Sequence, residues 1–378
     1  MEVQDTFIII GGGIGGLATA LALQKSGYNA KIYERDVHFN SRQQGYSLTI
    51  QRNGFKALQK LGIADDVQKL GNDSVIFGMT TYNHLGETIL SKSKTNNSNR
   101  RYYNFAVPRQ SLRQCLMNNL AADTIHWNKS IIQYETILND PTHIRVSFSD
   151  NTFVIGRALI GCDGVHSLVR KQMLNDELNY LDVWAINGIS SHNNNNQFFV
   201  NQTIQILDGK SRLFIKPFSI NQSMWQYTFK APKLSSNDLE EFLNRVRNAT
   251  KDWFQPIPEF ICNTQLCDIR AGPLFDRDPL NVINKDIPCV TMLGDAVHPM
   301  SPFKGQGANQ ALIDAVNLVE YLKQYQDKDK GIEHAFVEFE KEMLNRSKIY
   351  MQRSRSAVNF LHTENALLPE NMLQFLSE

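Results

Sequence analysis

The sequence predicts an α/β fold: a domain on a parallel sheet, discontinuous along the chain, with an inserted antiparallel sheet and a helical C-terminal segment. Three observations carry this. Residues 7–34 read as strand, glycine-rich turn, helix and strand. Apolar runs typical of buried strands return at Arg157–Cys162 and Cys289–Leu293. Between them lie alternating runs, the mark of a sheet with one exposed face.

Each element follows from its residues. Phe7-Ile8-Ile9-Ile10 is short and wholly apolar, as a strand covered on both faces requires. Leu17, Ala20, Leu21 and Leu23 then form a helical stripe that ends near Gly27, and Ala30–Tyr33 is the second strand of a βαβ unit. A second periodic helix covers 53–61 and closes at Gly62. Residues 71–107 read as short strands and turns, with an Asn- and Ser-rich stretch at 94–99; residues 109–122 read as helix. Alternation at 144–148 and 153–155 predicts a hairpin. Across 180–230, the runs Thr203–Leu207 and Trp225–Phe229 alternate around an Asp208-Gly209 turn, and Asn193–Asn196 is a polar loop. A helix is expected over 307–323, and from 331 onward Phe336, Phe339 and Met343 place a charged helix across the domains. The partition is 1–70, 100–178 and 266–325 for the parallel-sheet domain, which the motifs below mark as the nucleotide domain, 71–99 and 179–265 for the inserted sheet, and 326–378 for the C-terminal helices.

Composition narrows the function. The 378 residues are 42% hydrophobic, enough for a large core. Lys and Arg number 39 against 38 Asp and Glu, a net charge of +1, so no overall charge draws the chain to nucleic acid or anionic membrane. Five cysteines at irregular spacing, without a C-x-x-C, argue against a disulfide framework or a metal site and for a reducing compartment. The acidic start and the absence of long apolar stretches lead to the expectation of a cytoplasmic protein with no transmembrane segment.

Three motifs carry chemistry. Gly11-Gly12-Gly13-Ile14-Gly15-Gly16 matches G-x-G-x-x-G after a strand and at the opening of a helix, a Rossmann-like arrangement. Gly11 makes the turn, Gly13 lets a pyrophosphate approach the backbone, and Gly16 lets helix and strand pack closely. The helix N-terminus then offers free N–H groups to the phosphates, and Glu34, at the end of the next strand, is placed for a ribose diol. The second motif, Gly161-Cys162-Asp163-Gly164 through Ser167 and Arg170, reads equally as a functional turn or as a capped strand–helix junction. The third runs from Leu293-Gly294-Asp295 through His298, Pro299 and Pro302 to Gly305-Gln306-Gly307-Ala308-Asn309. A strand delivers Asp295 to a polyol, and bare glycine amides at a helix start suit the anionic edge of a reduced flavin.

With these motifs in this order, the chain resembles the FAD-dependent aromatic hydroxylases of the para-hydroxybenzoate hydroxylase type. It is similar above all to the compact branch that includes salicylate hydroxylases and tetracycline-inactivating monooxygenases, through Tyr33-Glu34-Arg35-Asp36, Pro108-Arg109 and the segment 289–316. The resemblance implies a Rossmann-like FAD/NAD(P)-binding domain with an inserted substrate sheet, FAD as cofactor, and NADPH or NADH and O2 as co-substrates. It implies that Gly11, Gly13, Ile14, Gly15 and Gly16 hold the ADP half of FAD and Glu34 its ribose, with Arg35 along the adenine. Arg109 would reach the flavin or ribityl region, Arg113 the phosphates and Arg42 the isoalloxazine. Asp163 belongs to a motif associated with both FAD and NAD(P)H, and Asp295 with the ribityl or pyrophosphate portion. Pro302, Gly305, Gln306 and Gly307, continuing into Ala308 and Asn309, would line the flavin ring.

The implied chemistry is transfer of hydroxyl from a flavin C4a-hydroperoxide to an electron-rich ring in a small aromatic or polycyclic substrate, so catalysis is flavin-mediated and no catalytic side chain is named. His298 reads as a packed loop histidine; His126 and His192 read as surface residues. Substrate candidates are Ile186, Gln202, Met224, Trp225 and Tyr227. The first three stand where tetracycline oxidisers carry polar groups, which disfavours a tetracycline, and Gln44-Gly45-Tyr46 departs from the family's paired glycines. The alternatives are an isoprenoid epoxidase, a tetracycline-inactivating monooxygenase and a binder of prenylated GTPases on the same fold. The state expected is monomer or dimer, with no nucleic-acid partner.

Overall fold

The computed structural model describes residues 5–41, 47–71, 78–93, 104–138, 140–192, 197–199, 202–326, 328 and 330–377. Its first strand, Thr6–Ile10, is buried along its whole length. It pairs in parallel with Asn29–Tyr33 on one side and Ala158–Gly161 on the other. Val290–Met292 and Ile125–His126 complete a five-stranded parallel sheet at its two edges. The late apolar runs thus return to the sheet that the first strand begins. Helices Ile14–Lys25 and Gly307–Tyr325 pack against each other here, and an antiparallel meander over 131–156 adds Tyr134, Val146 and Phe148 to the same core.

Among the described residues the inserted sheet has seven strands, in the order Arg270–Asp276, Asn179–Ser191, Gln222–Lys230, Ser211–Ser219, Gln202–Leu207, Gly78–Asn83 and Thr88–Ser93. All neighbours are antiparallel except Gln202–Leu207 with Gly78–Asn83, which run in parallel. Here the structure departs from the sequence partition. Arg270–Asp276 was grouped with the nucleotide domain, yet it hydrogen-bonds along Asn179–Ser191. Its polar and glycine-containing pattern, Arg-Ala-Gly-Pro-Leu-Phe-Asp, carries too little periodicity to reveal an edge strand.

The two faces of this sheet differ in chemistry. Trp184, Ile186, Ile204, Ile206, Leu213, Ile215, Trp225, Tyr227 and Phe229 form an apolar core with helices Leu239–Thr250 and Ile257–Cys262. By alternation, Asn187, Gln205, Arg212, Phe214, Lys216, Met224, Gln226 and Thr228 lie on the other face. That second face looks toward the nucleotide domain and the C-terminal helices. Lys216 Nζ donates to Thr49 Oγ1, Arg212 stands over Phe303, and Thr228 is bonded to His362.

Helix Gly331–Leu361 ties the units together. Phe336, Phe339 and Met343 enter the core of the parallel sheet, as their spacing predicts. Ala357 and Leu361, farther along, pack with Ile89, Leu207 and Met372 of the second unit. Arg355 adds a two-pronged contact to Asp276, at 2.7 Å on each carboxylate oxygen. Among the described residues no helix is long and apolar enough to cross a membrane.

Candidate cofactor site and substrate face

The glycines of the first turn are held for different reasons. Gly11 has φ +105°, and a Cβ there would lie 2.5 Å from Cys162 O. A Cβ on Gly16 would lie 1.9 Å from Gly11 O, so this glycine permits helix and turn to touch. At Gly13 an added Cβ meets nothing within 4 Å. Packing therefore explains Gly11 and Gly16, whereas Gly13 borders open space. Gly13 is also the N-cap of its helix, with no side-chain cap and no acidic residue in the first turn. Ile14 is buried, and Gly15 faces Leu293 and Ala311, so these two serve the packing of the turn.

Glu34 is buried at the end of the second strand. Its Oε2 accepts from Gly12 N at 2.5 Å and its Oε1 from Asp36 N at 2.9 Å. The carboxylate is thereby clamped to the rim of the turn, and each oxygen retains a lone pair. Arg35 next to it is exposed. Arg113, 1% exposed, donates from Nε and one terminal nitrogen to Gly12 O and from the other to Gln110. It braces the glycine turn from behind. Arg42 and the segment Gln44-Gly45-Tyr46 lie outside the described residues.

Asp163 accepts from Ser167 Oγ, Leu168 N and Val169 N, while Ser167 Oγ accepts from Arg170 N. Burial raises the Asp163 carboxyl against the pull of these bonds. Of the two meanings open in the sequence, this geometry is that of the capped junction. The motif also reaches outward. Arg170 donates to Ala296 O and Arg277 to Val297 O, and Asp176 pairs with both arginines. The Asp-Gly turn thus holds the backbone of the Gly-Asp turn.

Gly294 begins that turn at φ +61°, a conformation glycine adopts without strain. Asp295 follows. Burial raises its carboxyl, and the charges of His298 and Arg109 oppose that rise. Pro302 and Gly305 are exposed at the surface of the next loop, and Gly307 starts the long helix. Gln306 donates to Gln51 Oε1 and accepts from Asn53 and Gln310. The Asn309 side chain is bonded within the protein: its Oδ1 accepts from Gln51 N and its Nδ2 donates to Thr49 O and Gly305 O. It staples strand Ser47–Ile50 to the helix start. Ala308 is half-buried.

The substrate candidates need correction. Ile186, Trp225 and Tyr227 belong to the apolar core beneath the two helices, on the face turned away from the cofactor loops. Trp225 Nε1 is spent on Ser190 Oγ and Thr264 Oγ1. Gln202 shares that face by alternation and donates to Phe198 O. Tyr227 does line an open groove of about 600 Å³ with Phe229 and Arg245, on this far side. Met224 alone of the five lies on the face toward the nucleotide domain. The residues the sequence reading missed there are Asn187, Gln205, Arg212, Lys216 and Gln226. They form a chain: Arg212 Nε donates to Gln205 Oε1 at 2.7 Å and its terminal nitrogen to Gln226 Oε1 at 3.4 Å, and Gln226 Nε2 donates to Asn187 Oδ1 at 2.9 Å. A signal existed in Ser211-Arg-Leu-Phe-Ile-Lys, where Leu213 and Ile215 claim one face and leave Arg212, Phe214 and Lys216 on the other.

The histidines also separate. His298 is packed as expected, bonded to Asp314. His126 and His192 are half-buried rather than surface residues: His126 stacks on Tyr33 and His192 on Phe199.

The family model described as FAD binding domain matches residues 4–202 and 287–338. An FAD-dependent urate hydroxylase of Klebsiella pneumoniae is 24% identical over 374 residues, spanning 98% of this chain and 94% of that protein. A dual O-methyltransferase/FAD-dependent monooxygenase, CTB3 of Cercospora beticola, is 28% identical over 92% of this chain. The chain spans only 45% of that relative's length. Among solved structures, Klebsiella pneumoniae HpxO complexed with FAD and uric acid superposes with a TM-score of 0.85 at 23% identity, covering 98% of this chain and 92% of that one. That likeness shows the fold.

Proposed function

The chain belongs to the FAD-binding-domain family, and on that premise we propose that it is an FAD-dependent monooxygenase that uses NAD(P)H and O2 to hydroxylate a small aromatic or polycyclic substrate. The observation that carries the reading is the contrast within the glycine turn. Gly11 and Gly16 are required by contacts inside the protein, whereas no contact inside the protein requires the missing side chain of Gly13, which supports a role for that residue toward a bound pyrophosphate. An uncapped helix start and the clamped Glu34 carboxylate flank that space, the donor and acceptor set a dinucleotide needs.

FAD bound here would supply hydride acceptance from the nicotinamide and activation of O2. Gly13 and the first amides of its helix would hold the pyrophosphate, Glu34 the ribose and Asp295 the ribityl chain. Pro302, Gly305 and Gly307 would border the flavin ring. The remaining work falls to the polar face of the inserted sheet. Asn187, Gln205, Arg212 and Gln226 offer fixed donors and acceptors to the edges of a planar ring, and Met224 and Phe214 offer apolar contact. The named activities of the relatives, urate hydroxylation among them, support a flat ring with several hydrogen-bonding edges.

Purified protein reconstituted with FAD and mixed anaerobically with NADPH, then NADH, tests this. Loss of the oxidised flavin band, accelerated by one class of phenol or purine, is the expected result. A protein that holds FAD but is reduced by neither nucleotide under any condition would overturn the nicotinamide-dependent reading.

A further inference from the structure

We propose that the substrate of this site is an organic anion and that Lys216, with Arg212 on the same sheet face, receives its charge. The inference rests on the monooxygenase reading and extends it to substrate class. Strand Ser211–Ser219 alternates, so Arg212, Phe214 and Lys216 all face the nucleotide domain. Both cations are 4% exposed. Several other enclosed cations meet carboxylates, Lys285 with Glu340, Arg170 and Arg277 with Asp176, Arg346 with Asp314, while Arg113 is held by the Gly12 carbonyl and Gln110. Among the described residues, Arg212 and Lys216 have no such partner. Burial alone acts on them, pushing Arg212 down to about 9 and Lys216 to about 7.

The two are not equally satisfied. Arg212 is bonded to Gln205 and Gln226 and lies 4.5 Å from the Phe214 ring centre and 5.1 Å from that of Phe303. Lys216 has three donors as an ammonium but, among the described residues, one bond, to Thr49 Oγ1 at 3.3 Å. Burial disfavours an ammonium in that state, and an anion that met it would restore the charged form. Thr49 belongs to the strand that Asn309 staples to the loop ending at Gly305, so Lys216 stands one strand away from that loop. A planar ring bearing an anionic oxygen satisfies every part of this arrangement. Lys216 takes the oxygen, Phe214 takes the ring, and the Arg212 chain takes a second polar edge. A carboxylate and an ionised ring oxygen or nitrogen share this chemistry.

FAD-loaded protein is titrated with benzoate and salicylate as carboxylates and with urate as an ionised ring. The neutral partners, compared at neutral pH, are benzamide, salicylamide and hypoxanthine. Binding is read from the shift of the flavin absorption band. At least one anion binds about tenfold or more tighter than its neutral partner, and Lys216→Met lowers that affinity about tenfold to a hundredfold while Lys216→Arg restores most of it. Ligand-free Lys216→Met, relieved of the unpaired charge, melts higher than the parent protein. Equal binding of anion and neutral partner, no response to any anion, an unaltered Kd in Lys216→Met, or a lower melting point overturns the proposal. So does loss of FAD from Lys216→Met, because the lysine then serves the cofactor. A parent protein that never binds FAD fails the underlying reading instead, and the two failures are told apart by the flavin spectrum.

Discussion

His298 Nε2 and Asp314 Oδ2 meet at 2.7 Å, with the histidine 1% exposed and the aspartate fully enclosed. The same carboxylate oxygen accepts from Gly294 N at 2.9 Å, and Oδ1 pairs with Arg346 at 2.7 Å. One acidic side chain on the long helix therefore fixes the first residue of the Gly-Asp turn, the histidine that closes it and the helix Gly331–Leu361. Asp295 is carried between the two fixed points. Asp314→Asn removes the charge while preserving shape, and leaves Arg346 and the turn without their shared anion. The expected cost is about 3–5 kcal/mol of stability, as for a broken buried ion pair. Denaturant unfolding measures it, and a change below about 1 kcal/mol would contradict the role.

Asp314 also predicts an acid limb. Burial alone raises its carboxyl, but the charges of His298 and Arg346 outweigh that and hold it at about 2. A folded value below the unfolded one contributes stability above the unfolded value, about 4, and that stability is lost as pH falls toward 2. In Asp314→Asn this part of the pH–stability curve flattens.

A second limb arises at higher pH. His362 Nδ1 lies 2.8 Å from Val358 O and Nε2 lies 2.9 Å from Thr228 Oγ1. The neutral ring donates to the carbonyl and accepts from the hydroxyl. Burial lowers its value to about 4, opposed by the Val358 bond and aided by the nearby Arg212 charge. The unfolded chain protonates this histidine near 6.5, so stability is complete above that value and declines between about 6.5 and 4. Melting temperatures taken across that window fall in the parent protein and fall less in His362→Gln.

Trp225 separates core from substrate pocket. Trp225→Phe loses the donor to Ser190 and Thr264 and leaves some volume unfilled. About 1–3 kcal/mol of stability is lost, with KM for the identified substrate unchanged. Gln226→Ala, on the opposite face, has the reverse profile: little loss of stability and a raised KM. A KM effect from Trp225→Phe alone would return the tryptophan to the substrate site.

Much of this was legible because local pattern and fold coincide. Phe7–Ile10, the glycines after it and Glu34 declare a strand, a turn and a second strand end within one βαβ unit, and the structure assembles them so. Where several distant segments decide the outcome, the sequence was ambiguous. Arg270–Asp276 is a strand only because Asn179–Ser191 offers it an edge. Trp225 and Tyr227 are conspicuous as aromatics, yet which face they occupy depends on helices Leu239–Thr250 and Ile257–Cys262 arriving to cover them. Lys216 and Arg212 look like surface residues of an exposed strand until the nucleotide domain closes over that face. Asp314 is one acid within an apolar helix stripe, and only the returning Gly-Asp turn and Arg346 give it partners.

The glycine turn supplies the sharpest separation of fold from function. Gly13→Ala places a Cβ with no protein atom within 4 Å, at a residue whose φ of −77° is ordinary for alanine. The variant therefore folds, with a melting point close to that of the parent protein stripped of FAD. Its methyl group occupies the space the pyrophosphate would enter, so FAD affinity falls by tenfold or more. Gly16→Ala drives its Cβ to 1.9 Å from Gly11 O, and the helix must move off the strand. That variant loses stability and FAD together. Thermal melts of the FAD-free proteins, paired with FAD titrations by flavin fluorescence, resolve the two effects. A Gly13→Ala protein that binds FAD as tightly as the parent would mean that the open space beside Gly13 is not where the pyrophosphate lies, and the placement of the cofactor along this helix would have to be abandoned.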